Sequence, residues 1–298
     1  MQPGRLLTAM VTPFDEKGGV DYAQAKRLAR ALVDSGSDGL VVSGTTGESP
    51  TLSPEEKLRL FSEIRASLPP SVSVIAGTGT YDTAESVAFT REASRTGVDG
   101  VLLVVPYYNR PTQDGLFLHF KTIAEATSLP CILYNVPGRT VTSLAAETVV
   151  RLSKVPNIVG VKEASGNLDQ IAKIIQGAGK GFLVYSGNDA DTLPIMALGG
   201  YGLISVASHL VGNQLKRMME LMVAGKLQEA AAIHLDLLPL VNALFVIANP
   251  MPVKYALNQV GFSVGKPRLP LTEPDEKSAA AIRAALRNCR IDLPVPAT

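Results

Sequence analysis

Eight short apolar runs alternate with helical patterns along residues 1–225, and few folds accommodate that order. The runs are residues 6–12, 39–44, 72–77, 101–106, 131–136, 158–164, 182–187 and 202–208. Most are rich in Val, Ile and Leu with little polar alternation, which suits strands covered on both faces. Between them, apolar residues recur at helical spacing over residues 21–35, 82–95, 112–127, 144–153, 168–176, 189–198 and 212–224. Ser53-Pro54-Glu55-Glu56 opens a further helix with a capping box and a proline at the first helical position. Eight strands, each followed by a helix, predict an α/β fold, a closed (β/α)8 TIM barrel. An open doubly wound sheet is the competing arrangement, and the even spacing of eight runs favours closure. Past residue 225 the strand pattern stops, and residues 226–247, 252–260 and 275–287 read as helices. The expected organisation is a catalytic barrel over 1–225 and a C-terminal helical appendage over 226–298.

Composition narrows the function classes. The chain of 298 residues is 46% hydrophobic and 18% charged, enough to bury a large core. A net charge of +1 supplies no field for nucleic acid or an anionic membrane, so neither is an expected partner. No apolar run reaches the roughly 18 residues that span a bilayer. The start, Met1-Gln2-Pro3-Gly4-Arg5, lacks the layout of a signal peptide. Cys131 and Cys289 read as free thiols in a reducing, cytoplasmic setting. His119, His209 and His234 are scattered without ligand spacing, so no metal is expected.

In barrels the chemistry gathers at the C-terminal ends of the strands. There the second run ends in Gly44-Thr45-Thr46-Gly47-Glu48-Ser49 and the fourth in Pro106-Tyr107-Tyr108-Asn109-Arg110-Pro111. The fifth carries Tyr134-Asn135 and then Val136-Pro137-Gly138-Arg139-Thr140, the sixth carries Lys162, and the seventh ends in Ser186-Gly187-Asn188-Asp189. Hydroxyls, phenols, a guanidinium and an amine are thereby predicted to meet on one rim. Each has an ordinary reading. Gly-Thr-Thr-Gly makes a tight turn, Tyr107 and Tyr108 serve as packing or interface aromatics, and Tyr134 is a satisfied core tyrosine. Arg139 is then solvated on a turn, and Lys162 snorkels from a strand end. The joint placement of all five favours the chemical reading. Strand alternation puts Lys162 on one face with Ile158 and Gly160, and the glycine is expected to leave space beside the lysine stem. Burial disfavours the ammonium form of a lysine, and a free amine attacks a ketone to form a Schiff base. Lys121 and Lys254 fall in helical patterns and read as surface or snorkelling lysines. Gly77-Thr78-Gly79 is too short for a nucleotide fingerprint, and Gly199-Gly200 lies at the wrong end of the barrel for a phosphate site.

Four motifs carry a resemblance: Gly-Thr-Thr-Gly-Glu-Ser (44–49), Pro-Tyr-Tyr-Asn-Arg-Pro (106–111), Tyr-Asn-Val-Pro-Gly-Arg-Thr (134–140) and Val-Lys-Glu-Ala-Ser-Gly-Asn (161–167). In this order and spacing the chain resembles the dihydrodipicolinate synthase (4-hydroxy-tetrahydrodipicolinate synthase) family of pyruvate-dependent class I aldolases. The resemblance covers nearly the whole chain, including Asn-Pro-Met-Pro-Val-Lys (249–254). It implies that Lys162 forms a Schiff base with pyruvate. It implies a proton relay of Tyr134, Thr45 and Tyr108, with Tyr108 supplied by a neighbouring subunit. Thr45 and Thr46 would hold the pyruvate carboxylate, and Arg139 the carboxylate of L-aspartate 4-semialdehyde. Gly187 and Ile204 would line the same pocket. A homotetramer built as a dimer of dimers is implied, and no cofactor.

Two rival functions stand beside this one. Another pyruvate-dependent aldolase, of the sugar-acid or N-acetylneuraminate type, resembles the chain around the lysine but usually lacks an arginine at position 139. A keto-acid-binding barrel without turnover has no need for the set Lys162, Tyr134, Thr45 and Tyr108. The resemblance also implies a candidate lysine-binding regulatory site at Ser49, Pro50, Pro54, Lys57, Tyr81, Glu85 and Tyr107. Pro54 and Lys57 stand where lysine-sensitive relatives often carry histidines, and Tyr81 where they often carry asparagine. Weak or absent inhibition by lysine is the expectation.

Overall fold

The eight apolar runs close on one another. The computed structural model describes residues 3–295; Met1 and Gln2 of the leader reading, and residues 296–298 of the appendage span, lie outside the described residues. Strands β1 (Leu6–Ala9), β2 (Gly39–Val42), β3 (Ser73–Gly77), β4 (Gly100–Val104), β5 (Cys131–Asn135), β6 (Ile158–Glu163), β7 (Leu183–Ser186) and β8 (Gly202–Ser205) pair in parallel in chain order, and β8 returns to β1. Closure leaves no sheet edge and covers both faces of every strand, which is why the runs show little polar alternation. Leu7, Val41, Ile75, Ile132, Leu183 and Ile204 fill the barrel interior. Their strand neighbours Leu6, Leu40, Val74, Cys131 and Leu203 face outward into a larger cluster, against helix residues such as Leu28, Phe61, Phe120 and Ile171.

Local chemistry starts the helices where expected. Asp21 caps the helix Tyr22–Asp34 by accepting from the Gln24 N–H. Ser53 and Glu56 form a reciprocal capping box on the helix Pro54–Ser67. Three expectations need correction. The Pro137-Gly138-Arg139-Thr140 turn is a single helical turn, Pro137–Thr140, started by proline. The helix read from residue 212 begins at Ser208, with a non-helical Val211 inside it. Simple alternation fails at the start of β6, where the register with β5 slips, pairing Cys131 with Ile158 and then Ile132 with Gly160. The extra residue puts Ile158 in the outer cluster and packs Val159 against the inner one.

The C-terminal helices Leu227–Ala243, Met251–Gln259 and Glu276–Arg287 continue the same core. Leu237, Leu240, Val253, Leu257 and Ile282 belong to the buried cluster that also holds the barrel's outer face. The helix Met251–Gln259 thereby brings Lys254 to Glu48 on the loop after β2.

Candidate active site

Three strands place aromatic and amine groups side by side. Tyr134 on β5 pairs in register with Lys162 on β6, and Lys162 with Tyr185 on β7. Tyr134 and Lys162 are each only 5% exposed. The Lys162 Nζ lies 4.4 Å from the Tyr134 ring centroid. Room for its stem comes from Gly187, because a Cβ there would stand 3.1 Å from Lys162 Cε and 2.8 Å from Ala164 Cβ. Gly160, expected in that role, instead allows close approach of β7: a Cβ on it would strike the Leu183 carbonyl oxygen. Asp189, fully buried beyond β7, accepts from the backbone N–H groups of Val206 at 3.1 Å and Ala207 at 3.2 Å and from the Ser205 hydroxyl. Burial pushes its carboxyl upward, while those donors and the Lys162 charge pull it down.

A cavity of about 270 Å³ opens above this group, bounded by Thr45, Val104, Tyr107, Tyr134, Val136 and Arg139. Lys162, Thr46, Gly187 and Ile204 do not line it; Lys162, Thr46 and Ile204 are buried, and Ile204 packs with Tyr134 in the barrel interior. The Thr45–Thr46 loop is tightly wound. Ser43 and Glu48 both adopt positive φ, 56° and 57°. Ser49 N–H donates to Gly44 O at 3.2 Å, and the Thr12 hydroxyl to Gly47 O at 2.7 Å. Arg139, exposed on its single helical turn, donates from Nη2 to the Asn249 carbonyl at 3.0 Å.

The pattern of the dihydrodipicolinate synthetase family matches residues 2–289. The chain belongs to the dihydrodipicolinate synthetase family. It is 62% identical over 292 residues to the 4-hydroxy-tetrahydrodipicolinate synthase of Dehalococcoides mccartyi (strain CBDB1), covering 98% of each chain. Among solved structures it resembles the DHDPS of Cyanidioschyzon merolae with lysine bound, at 46% identity and a TM-score of 0.95, covering 96% of this chain and 98% of that one. It also resembles the dihydrodipicolinate synthase DapA-2 of Bacillus anthracis, at 44% identity and a TM-score of 0.94, with the same coverages.

Tyr108 differs from the buried Lys162, Thr46 and Ile204 in facing solvent. Tyr108 is 91% exposed, with φ of 76°, on the loop after β4. Its neighbour Tyr107 turns inward, its ring 5.1 Å edge-to-face from Tyr81. The candidate regulatory residues Ser49, Pro54, Lys57 and Glu85 line a second cleft of about 210 Å³ that shares Ser49 and Lys57 with the first; Pro50 lines the first alone. Burial lowers the Lys57 pKa, opposed by the Glu85 charge. Tyr81 lines neither cleft and is half-exposed.

Lys254 departs most from its expected place. It is 1% exposed, not a surface lysine. Its ammonium donates to Glu48 Oε1 at 2.8 Å, to Thr12 O at 3.0 Å and to Lys266 O at 3.1 Å, over the face of Phe14. Burial lowers its pKa to about 8, with Glu48 opposing. The signal was present: Lys254 shares a helix face with the buried Leu257, three residues on. A second missed group lies behind β5 and β6. Glu163 accepts from Asn135 Nδ2 at 2.6 Å, Gln170 Nε2 at 3.0 Å and Ser165 Oγ at 2.5 Å. Asn135 and Glu163 are the register pair directly after Tyr134 and Lys162. Lys121 does lie outside, in an i,i+4 ion pair with Glu125.

Proposed function

We propose that the chain joins pyruvate to L-aspartate 4-semialdehyde through an imine on Lys162, the 4-hydroxy-tetrahydrodipicolinate synthase reaction that commits carbon to diaminopimelate and lysine. The observation that carries this reading is the buried Lys162 amine against the Tyr134 ring, with Gly187 leaving room beside its stem. The amine adds to the pyruvate ketone, and loss of water gives the iminium. That iminium is an electron sink, so a methyl proton leaves and an enamine forms. The enamine carbon bonds to the aldehyde carbon, whose oxygen takes up a proton. The amine of the second substrate then displaces Lys162 as the ring closes, returning the enzyme's free amine. Each step moves a proton, which Tyr134, Thr45 and Tyr108 relay. Arg139 holds the semialdehyde carboxylate, since its fork engages two oxygens at once. The exposure of Tyr108 supports its delivery to a neighbouring subunit's site, and hence an oligomeric working form. The test is turnover of pyruvate plus L-aspartate 4-semialdehyde, coupled to the reductase that consumes the product. Product formation is expected; turnover of sugar acids in its place would move the chain to the rival aldolase class.

Regulation by lysine is weak or absent on this reading. Lys57 puts a cation in the cleft shared with Ser49 and Glu85, where a cationic ligand meets like charge, and Pro54 offers no side-chain hydrogen bond. A lysine titration of initial rate at subsaturating pyruvate should leave the rate nearly unchanged through the submillimolar range. Strong inhibition there contradicts it.

A further inference from the structure

Asn249 lies between the helices Leu227–Ala243 and Met251–Gln259, outside the barrel strands and outside the cavity lining. It is 5% exposed. Its two polar ends reach side chains on two different barrel loops. Its Nδ2 donates to Thr46 Oγ1 at 2.8 Å, on the loop after β2. Its backbone carbonyl accepts from Arg139 Nη2 at 3.0 Å, on the loop after β5. Its Oδ1 is buried without a partner among the described residues.

The direction of the first bond has a chemical consequence. A hydroxyl has one hydrogen to give and two lone pairs to offer. Once an amide N–H occupies a lone pair of Thr46, its hydrogen is left for another acceptor. A carboxylate can only accept, so this is the polarity that a carboxylate ligand requires. The unpartnered Oδ1 points the same way. A buried carbonyl with no donor is costly, and an apolar residue at this position removes that cost. Asparagine at 249 is therefore explained by its donor end. The second bond fixes one of Arg139's five N–H donors to the backbone and leaves the others for a ligand.

We propose that Asn249 is a positioning residue that orients Thr46 toward the pyruvate carboxylate and holds Arg139 for the second substrate's carboxylate, coupling two subsites through the C-terminal helical segment. The inference rests on the reading of Thr46 and Arg139 as carboxylate ligands. The two bonds separate by mutation. Asn249→Ala removes the side-chain donor and keeps the backbone carbonyl. It therefore acts on the pyruvate side and spares the semialdehyde side.

The experiment is a double-mutant cycle on the full-length enzyme with Thr46→Val, Asn249→Ala and both together. It measures kcat, both KM values and the thermal midpoint. Thr46→Val is expected to raise pyruvate KM by about tenfold or more. Asn249→Ala is expected to raise it severalfold with the semialdehyde KM nearly unchanged, and the double variant to be no worse than Thr46→Val alone. If the two effects multiply, or Asn249→Ala raises both KM values equally, Asn249 is a packing residue and the inference falls while the substrate roles stand. If Thr46→Val leaves pyruvate KM unchanged, the substrate reading of Thr46 falls and takes the inference with it. Should Asn249→Ala not fold, Asn249→Ser, which shortens the side chain but stays polar, runs the same cycle with the same two overturning outcomes.

Discussion

The barrel interior and the junction of the C-terminal helices with the rim each bury a lysine, and the two differ in their partners. Lys162 rests on the Tyr134 ring, with no carboxylate at salt-bridge distance among the described residues. Lys254 is buried even more completely, and all three of its N–H donors are engaged by Glu48 and two backbone carbonyls. An ammonium held by an anion and two carbonyls has no lone pair to offer a ketone. Burial alone therefore does not make a nucleophile. The proposed roles follow the counter-ion: Lys254 has one at 2.8 Å, and Lys162 has none at that range among the described residues.

Breaking the paired lysine should produce the largest stability effect. Lys254→Met leaves Glu48 buried without its cation and should destabilise the fold by about 3–5 kcal/mol in urea unfolding. Adding Glu48→Gln should recover part of that loss. Imine formation at Lys162 should survive in the folded fraction of both variants. If Lys254→Met abolished imine formation in folded protein, the division of labour between the two lysines would be wrong.

Arg139→Ala sharpens the comparison from the rim. It should raise the semialdehyde KM by about tenfold or more and leave imine formation with pyruvate unchanged. Weakening of pyruvate alone would reverse the assigned carboxylate roles.

His209 extends the argument to a third buried base. Its Nδ1–H donates to Val206 O at 2.8 Å and its Nε2 accepts from Val11 N–H at 3.1 Å, with no anion in either bond. Burial lowers its pKa from 6.5 to about 4. The folded state keeps it neutral, so only the unfolded chain takes up the proton as pH falls from about 6.5 towards 4. Stability should decline across that window by about 1.4 kcal/mol per pH unit from this residue and level off below it. Glu163 and Asp189 have raised pKa values and pull the other way, so the comparison is with His209→Gln. That variant should lose stability less steeply between pH 6.5 and 4; parallel slopes would contradict a neutral buried His209.

Legibility in the sequence follows from range. The eight strands could be read because burial on both faces writes itself into short consecutive runs such as Val101 to Val104. The rim groups could be read because a barrel puts strand ends together whatever the loops do. The burial of Lys254 is legible in the helix face it shares with Leu257, but its partner is not, since Glu48 lies 206 residues away. Asn249 has a place in the 249–254 motif but no role legible there, for the same reason: both of its partners are long-range. Alternation misplaced Ile158 because one extra residue in β6 reverses the faces before it, and no local residue type announces that slip.

Lys162, and not the more deeply buried Lys254, is expected to carry the imine. Borohydride reduction of the enzyme in the presence of pyruvate, followed by digestion and mass mapping of both lysine peptides, tests it directly. One reduced pyruvyl adduct on Lys162, with Lys254 unmodified, is the predicted result. An adduct on Lys254 or elsewhere, with Lys162 unmodified, would contradict the account.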